Sequence, residues 1–266
     1  MIDFSHAFWL ALLQGVTEFL PVSSSGHLVL VPHFLGWSDQ GLMFDVAVHI
    51  GTLLAIVFYL RRDIGIISRG LVDVITRGVS SDGSRLCALI IVATLPTLLV
   101  GVLIDATLAS SLRQPLIIGV TTAGFGVVLL LADRLGSKHR KVCDFGWRDA
   151  LIIGIAQAFA LIPGTSRAGI TMTAALMVGA DRVASARFSF LLSIPVILAA
   201  GAQQSLELSR VTSSAQWSVL MVGVIVAAIS SLLVIKFFMR LIERMGMWPF
   251  VLYRVMLGAW LVIWFR

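Results

Sequence analysis

Apolar residues gather along this chain in long uninterrupted runs. A helix that crosses a bilayer needs about 20 mostly apolar residues, and six runs qualify: 42–60, 85–104, 115–133, 186–204, 217–238 and 248–265. Two further apolar regions, 5–36 and 147–180, are each interrupted halfway by a polar, helix-breaking cluster. The clusters are Pro21-Val-Ser-Ser-Ser-Gly-His27 and Pro163-Gly-Thr-Ser-Arg-Ala-Gly169. Each flanking limb holds about 13–16 residues, too few to cross alone, and so reads as half of a re-entrant or broken segment.

Composition agrees with a membrane solvent. The 266 residues are 58% hydrophobic and only 13% charged, with a mean hydropathy of +0.98. A soluble domain is about 45–50% apolar and about 25% charged. A water-soluble globule is excluded on that ground, and so is disorder, which needs low hydrophobicity. The expectation is an all-α polytopic membrane protein, one domain over 1–266. Its net charge of +6 reads as basic cytoplasmic loops, with no nucleic-acid partner. Cys87 lies in an apolar run and Cys143 in a basic loop, a placement that does not suggest a disulfide framework. The N-terminus lacks the basic region of a cleaved signal and reads as part of the fold.

Loop charge tests the layout. Arg61, Arg62, Arg69, Arg77 and Arg85 fall in 61–85, and Arg134, Lys138, Arg140, Lys141 and Arg148 in 134–148. Arg182 and Arg187 follow the second broken segment, and Lys236, Arg240 and Arg244 follow the fifth span. The loops between, 37–41, 105–114 and 205–216, hold only Arg113 and Arg210. If both broken segments enter and leave on one side, all the basic regions share a side. That side is then cytoplasmic and both termini lie outside. The halves also repeat: Gln14 and Gln157 are 143 apart, Pro21 and Pro163 142, and Phe44 and Phe188 144. Each half, about 1–134 and 147–266, is a broken segment followed by three spans. An odd number of crossings inverts the second copy, so the two breaks enter from opposite faces and meet near the midplane.

Charged or ionisable groups inside the apolar segments are few: Glu18, Asp45, Arg167 and Arg254, with His27 and His49 beside them. Each is costly at membrane depth and is a functional candidate by default. Asp45 and His49 stand four apart on one helix, where they can also satisfy each other. Arg254 can serve a ligand or pair structurally. In the first motif, Gln14 and Glu18 share a helix face, and Glu18 suits a hard cation or general-base work. Ser23, Ser24 and Ser25 add hydroxyls at the start of a second limb, whose free N–H groups bind anions. His27 can transfer protons near neutral pH. In the second motif Arg167 carries a planar donor fork suited to phosphate. Ser166, Thr171 and the first N–H groups of the helix complete an oxyanion cradle. An Arg167–Glu18 pair that ties the halves together is the structural reading of the same residues.

Gln14-x-x-x-Glu18, the following Phe-Leu-Pro-Val-Ser-Ser-Ser-Gly-His27, and Pro163-Gly-Thr-Ser-Arg-x-x-x-Thr171 together resemble the bacterial undecaprenyl pyrophosphate phosphatase family of bacitracin-resistance proteins. Phe188-Ser-Phe-Leu-Leu-Ser-Ile-Pro195 and Tyr253-Arg254 extend the resemblance nearly end to end. It implies an enzyme of the bacterial inner membrane that hydrolyses undecaprenyl diphosphate to the monophosphate and inorganic phosphate. It also implies a divalent metal, Mg2+ or Ca2+, a site reached from the outer side, a polyprenyl diphosphate partner and a homodimer. Carried over, Glu18, His27, Ser24 and Arg167 would be catalytic. Ser23, Ser25, Gly164, Thr165, Ser166, Thr171 and Arg254 would bind substrate, and Glu18 with Gln14 would bind metal. Two positions depart from the pattern: Gln14 stands where many relatives have Glu, and Ala168 where a second Ser is usual. The residues alone leave a secondary transporter or lipid flippase as the alternative, because broken helices in an inverted repeat also serve alternating access.

Overall fold

The computed structural model describes residues 3–104, 111–208 and 214–266 of the chain, and side chains outside 203–215 within them. Arg210 and part of the 105–114 loop lie outside the described residues. The six long apolar runs are six helices. They are α3 (Leu42–Tyr59), α5 (Asp82–Leu103), α6 (Pro115–Leu135), α9 (Arg182–Leu208), α10 (Ser214–Met245) and α11 (Trp248–Trp264). Five of these are long and apolar enough to span a membrane, and α11 is a shorter apolar helix of the same kind. Each interrupted region is two short helices around a break. The first gives α1 (Phe4–Thr17) and α2 (Ser24–Leu35), and the second α7 (Trp147–Ala158) and α8 (Arg167–Met177).

One stretch of the expected 61–85 loop is a helix. Residues Arg61–Arg77 form α4, which crosses the ends of its neighbours. Its Gly70 sits so close to Gly83 that an added Cβ would lie 2.2 Å from the Gly83 carbonyl oxygen. Arg61 to Arg77 carries too many charges for an apolar run, and only its helical phasing marks it as an element.

Small residues let the long helices approach closely, as helices do when no water drives them together. A Cβ at Gly51 on α3 would fall 2.4 Å from the carbonyl oxygen of Val224 on α10. Ser231 on α10 donates to the Gly15 carbonyl of α1 at 3.0 Å. Beneath the first break, Phe19 packs edge-on against Phe190, which leads through Phe238 to Phe250, with ring centroids 5.3, 6.0 and 5.2 Å apart. This aromatic row holds a helix-breaking turn against α9, α10 and α11.

The basic regions come together at one end of the bundle. Arg187 pairs with Asp63, and Arg85 donates to the Phe145 carbonyl at 2.9 Å. Arg182 grips Asp133 with Nε and Nη2 at 2.7 and 3.0 Å, and the Met247 N–H reaches the same carboxylate. Lys141 meets Asp181 at 2.5 Å. Burial alone would raise the Asp181 pKa, but Lys141 and the Ala184 N–H outweigh it and hold the carboxyl below its ordinary value. Arg140 ties the start of α7 to the end of α8, donating to Asp149 and to the Val178 carbonyl at 2.7 Å. At the other pole His6 stacks on Trp37 at 4.0 Å, joining the start of α1 to the residues after α2. His33 and Phe34 lie against Phe265 beside them.

The Gly51 contact is testable. Gly51→Ala is expected to cost about 1–3 kcal/mol of overpacking. That lowers the Tm of the detergent-purified chain by about 2–4 °C per kcal/mol. Gly65→Ala meets no atom within 4 Å and should leave the Tm unchanged or raise it. Equal melting of the two variants would contradict the close α3–α10 packing.

Candidate active site

Both breaks end in the same local device. Ser23 and Ser166 are the N-caps of α2 and α8, both in positive-φ conformations (φ 75° and 69°). Their side chains accept from the N–H groups of Gly26 at 3.4 Å and Gly169 at 3.1 Å. A serine with positive φ is uncommon, and the pair recurs at the 143-residue offset of the halves. The two turns touch, since a Cβ on Gly26 would lie 3.7 Å from the Gly164 Cα. Gly164 itself has φ +90 and no room for a side chain, with Thr121 Oγ1 only 2.2 Å from a built Cβ.

Arg254 pins the turns together. It is fully buried and spends its donors on main-chain carbonyls. Nε donates to Thr122 at 3.0 Å, Nη1 to Pro21 at 3.1 Å, and Nη2 to Gly164 and Thr165 at 3.1 and 2.8 Å. One guanidinium thus bridges both breaks and α6.

Beside this tie, the charged centre forms. Glu18 is 7% exposed and ends the α1 limb. Its Oε1 accepts from Arg167 Nη2 at 2.6 Å, and its Oε2 from Ser24 Oγ at 2.6 Å and Gln14 Nε2 at 2.9 Å. The cross-half pair foreseen between Arg167 and Glu18 is therefore formed. His49 Nε2 lies 3.7 Å from the same Oε2, while its Nδ1 donates to the Asp45 carbonyl at 2.6 Å. The Asp45 carboxylate instead accepts from Gln40 at 2.9 Å, so Asp45 and His49 do not satisfy each other side chain to side chain. Arg167 Nη1 is buried without a partner.

A cavity of about 1090 Å³ opens on this centre. Glu18, Ser23, Ser24, Ser25, Ser166, Arg167 and His49 line its polar floor, and Leu28, Val46, Ile50, Leu53, Val196 and Ile197 are among its apolar walls. It extends to Trp37, Asp39 and Arg113, away from the basic end. Several sequence candidates do not line it. His27 turns to α11: Nδ1 donates to the Ser23 carbonyl at 2.6 Å, and Nε2 lies 2.5 Å from the Tyr253 hydroxyl. A carbonyl only accepts, so in the neutral ring Nδ1 carries the proton and Nε2 receives the Tyr253 O–H. Thr171 faces Ser189 at 2.7 Å. Gln14, Gly164, Thr165 and Arg254 lie behind the wall. Gln40, Arg113, Thr97 and Gln157 are wall residues that motif spacing did not mark. Gln157 could have been found, because it repeats Gln14 at the 143 offset.

Among the described residues no group of three or more His, Cys, Asp or Glu is placed to hold a metal. The oxygen donors suit a cation that brings ligands with it. Glu18 is one, and the buried Gln14 Oε1, which has no partner, is another. Mg2+ commonly takes one or two carboxylates and completes its shell with phosphate oxygens and water.

The fold and site define a helical membrane protein with a charged floor of arginine, carboxylate and hydroxyls beneath an apolar cavity. The chain belongs to the bacitracin resistance protein BacA family, whose model matches residues 7–260. It is 50% identical over 255 residues to an undecaprenyl-diphosphatase of Hahella chejuensis, covering 96% of each chain. It is 48% identical over 258 residues to one of Nitrosococcus oceani, covering 97% of each. A protein named undecaprenyl-diphosphatase 2 in Stutzerimonas stutzeri is 46% identical, covering 99% of each.

Arg254→Met is expected to leave four carbonyls without their donor, each at about 1–3 kcal/mol. The Tm of the purified chain should fall by about 6 °C or more. An unchanged Tm would mean that the guanidinium is free for a ligand.

Proposed function

We propose that this chain is an integral membrane phosphatase that converts undecaprenyl diphosphate and water to undecaprenyl monophosphate and inorganic phosphate, recycling the lipid carrier for cell-wall synthesis. The observation that carries the reading is Arg167. One arm is fixed on Glu18 while Nη1 stays unpartnered on a buried floor flanked by the starts of α2 and α8. Such a floor binds oxyanions through the fork, the free N–H groups and the helix dipoles. The apolar wall above it suits a polyprenyl chain.

The chemistry follows from these contacts. Ser24 presents an O–H to a carboxylate at 2.6 Å, the arrangement in which Glu18 takes the proton of an attacking oxygen. Attack by that oxygen forms a new P–O bond at the terminal phosphorus and breaks the anhydride bond to the lipid phosphate. If the oxygen is that of Ser24, water then cleaves the serine phosphate and releases inorganic phosphate. Arg167, Ser23 and Ser25 hold the equatorial oxygens, and stabilising their charge is the larger share of the work in phosphoryl transfer. Glu18, backed by the buried Gln14 amide, would hold a divalent cation such as Mg2+ or Ca2+, which would supply further neutralisation of that charge. His27, bonded away from the floor, and Arg254, bonded to carbonyls, act by positioning the turns. His49 is the imidazole that faces the acid.

In the membrane, both broken segments are read as re-entrant and the halves as an inverted repeat. The contacts of His6 with Trp37 and of Arg140 with the Val178 carbonyl, between the two ends of each segment, support that reading. The packing partners support the repeat: α1 lies on α10 as α7 lies on α5, α3 lies on α9, and α6 on α11. With the basic end cytoplasmic, the cavity opens to the outer side and both termini lie outside. A homodimer is the assembly proposed with it, and light scattering of the purified chain tests that. Broken helices meeting inside the bundle also favour a transporter, but a transporter does not need a hydroxyl pressed on a carboxylate beside a phosphate fork.

The test is phosphate release from undecaprenyl diphosphate in detergent with Mg2+ or Ca2+. No sealed compartment exists there, so a pure transporter is silent. Wild type should turn over, and Glu18→Ala and Arg167→Ala should each lose at least about 100-fold, the scale of one electrostatic or acid–base element. Absence of release by well-folded wild type overturns the assignment.

A further inference from the structure

Helix α4 (Arg61–Arg77) differs from the spans in keeping both an apolar and a basic face open. Its inner strip is used: Gly70 abuts Gly83 at the start of α5, and Asp63 pairs with Arg187 near the start of α9. The helix therefore packs across the beginnings of two of the long apolar helices. On one flank Leu71 and Ile75 stand four residues apart and so share a face, while Ile64 further along it packs against the core. Ile75 is 75% exposed and Leu71 44%. On the opposite flank Arg62 and Arg69 stand seven apart and exposed. Among the described residues, neither of them, nor Arg61 or Arg77, meets a carboxylate. Asp73, the acidic residue on that flank, accepts from Ser81 at 2.9 Å.

An apolar strip left exposed by the described residues, bounded by arginines that meet no carboxylate among them, is the pattern of a helix lying in a bilayer interface. The charge selects the partner. A second copy of this end would present the same cations, whereas anionic phospholipid offers acceptors for the guanidinium forks along with hydrocarbon for the strip. We propose that α4 is an anionic-lipid binding helix. It lies in the membrane plane, with Leu71 and Ile75 in the acyl boundary and Arg62 and Arg69 on phosphate headgroups. Bound there, α4 also braces the Asp63–Arg187 tie and hence the start of α9, whose Val196 and Ile197 line the cavity. This lipid site is separate from the cavity and does not depend on what reaction the cavity performs.

The experiment places a spin label at position 75 or 69 of the full chain, in a Cys143→Ser background because Cys143 is exposed and Cys87 buried. The protein is held in nanodiscs of phosphatidylcholine with increasing phosphatidylglycerol. A label at 75 should be reached by oxygen and shielded from a water-soluble nickel chelate, and a label at 69 the reverse. The mobility of the label at 69 should fall as phosphatidylglycerol is added. In the chain labelled at 69, where Arg62 is the remaining proposed headgroup ligand, Arg62→Gln should move that fall to a clearly higher phosphatidylglycerol fraction. A label at 75 open to the chelate overturns the proposal. So does a label at 75 shielded from both reagents, which would mean that protein covers the strip. Indifference of the label at 69 to phosphatidylglycerol overturns the choice of anionic lipid.

Discussion

A carboxylate and a guanidinium 2.6 Å apart, each from a different broken helix and both largely buried, set the terms for the structure around them. Neither charge is tolerable alone in an apolar bundle, and removing one partner of such a pair costs about 3–5 kcal/mol. The two breaks are therefore obliged to meet. Everything nearby serves that meeting. Arg254 takes carbonyls from both turns, the serine caps hold the turns in their uncommon conformation, and the phenylalanine row under Phe19 supports the first of them. The pair is not closed on itself, because Arg167 keeps Nη1 free. A contact that stabilises the fold thus leaves a donor for a ligand.

The same constraint explains why the site is made of helix starts. A break inside a membrane bundle frees N–H groups that water cannot satisfy there. Ser23 and Ser166 satisfy one donor each, at Gly26 and Gly169, and the first turn of each helix leaves further N–H groups without an intrahelical partner. In an apolar surrounding these are strong sites for an anion. In the proposed reading lipid and headgroup would each keep a suitable medium, since the cavity is polar at its floor and apolar along its walls.

Much of this was legible in the residues. Six apolar runs marked six helices, and the polar interruptions at Pro21 and Pro163 marked both breaks, with α8 opening at Arg167 as its motif indicates. Glu18 with Arg167 was visible because buried charges of opposite sign seek each other. Direction was not legible. His27 and Thr171 sit within the motifs, but helical phase turns them toward Tyr253 and Ser189, and only the packing of α11 and α9 decides that. His49 was ambiguous for the opposite reason: Asp45, four residues away on its own helix, was an acceptable partner by spacing, and nothing local points to Glu18 across the bundle. Arg254 carried no motif of its own that distinguishes a ligand's hand from a structural tie. Helix α4 was hidden by its arginines, which made it look like a loop when hydropathy alone was counted.

The central claim is that two broken helices converge on a diphosphate site built around Glu18 and Arg167. The most direct measurement is an experimental structure of the chain with a non-hydrolysable polyprenyl methylenediphosphonate. The account predicts the diphosphonate beside Arg167 Nη1, between the starts of α2 and α8, with the chain along Leu28, Ile50 and Val196. A headgroup bound elsewhere, or α2 and α8 separated with Glu18 and Arg167 unpaired, would contradict it.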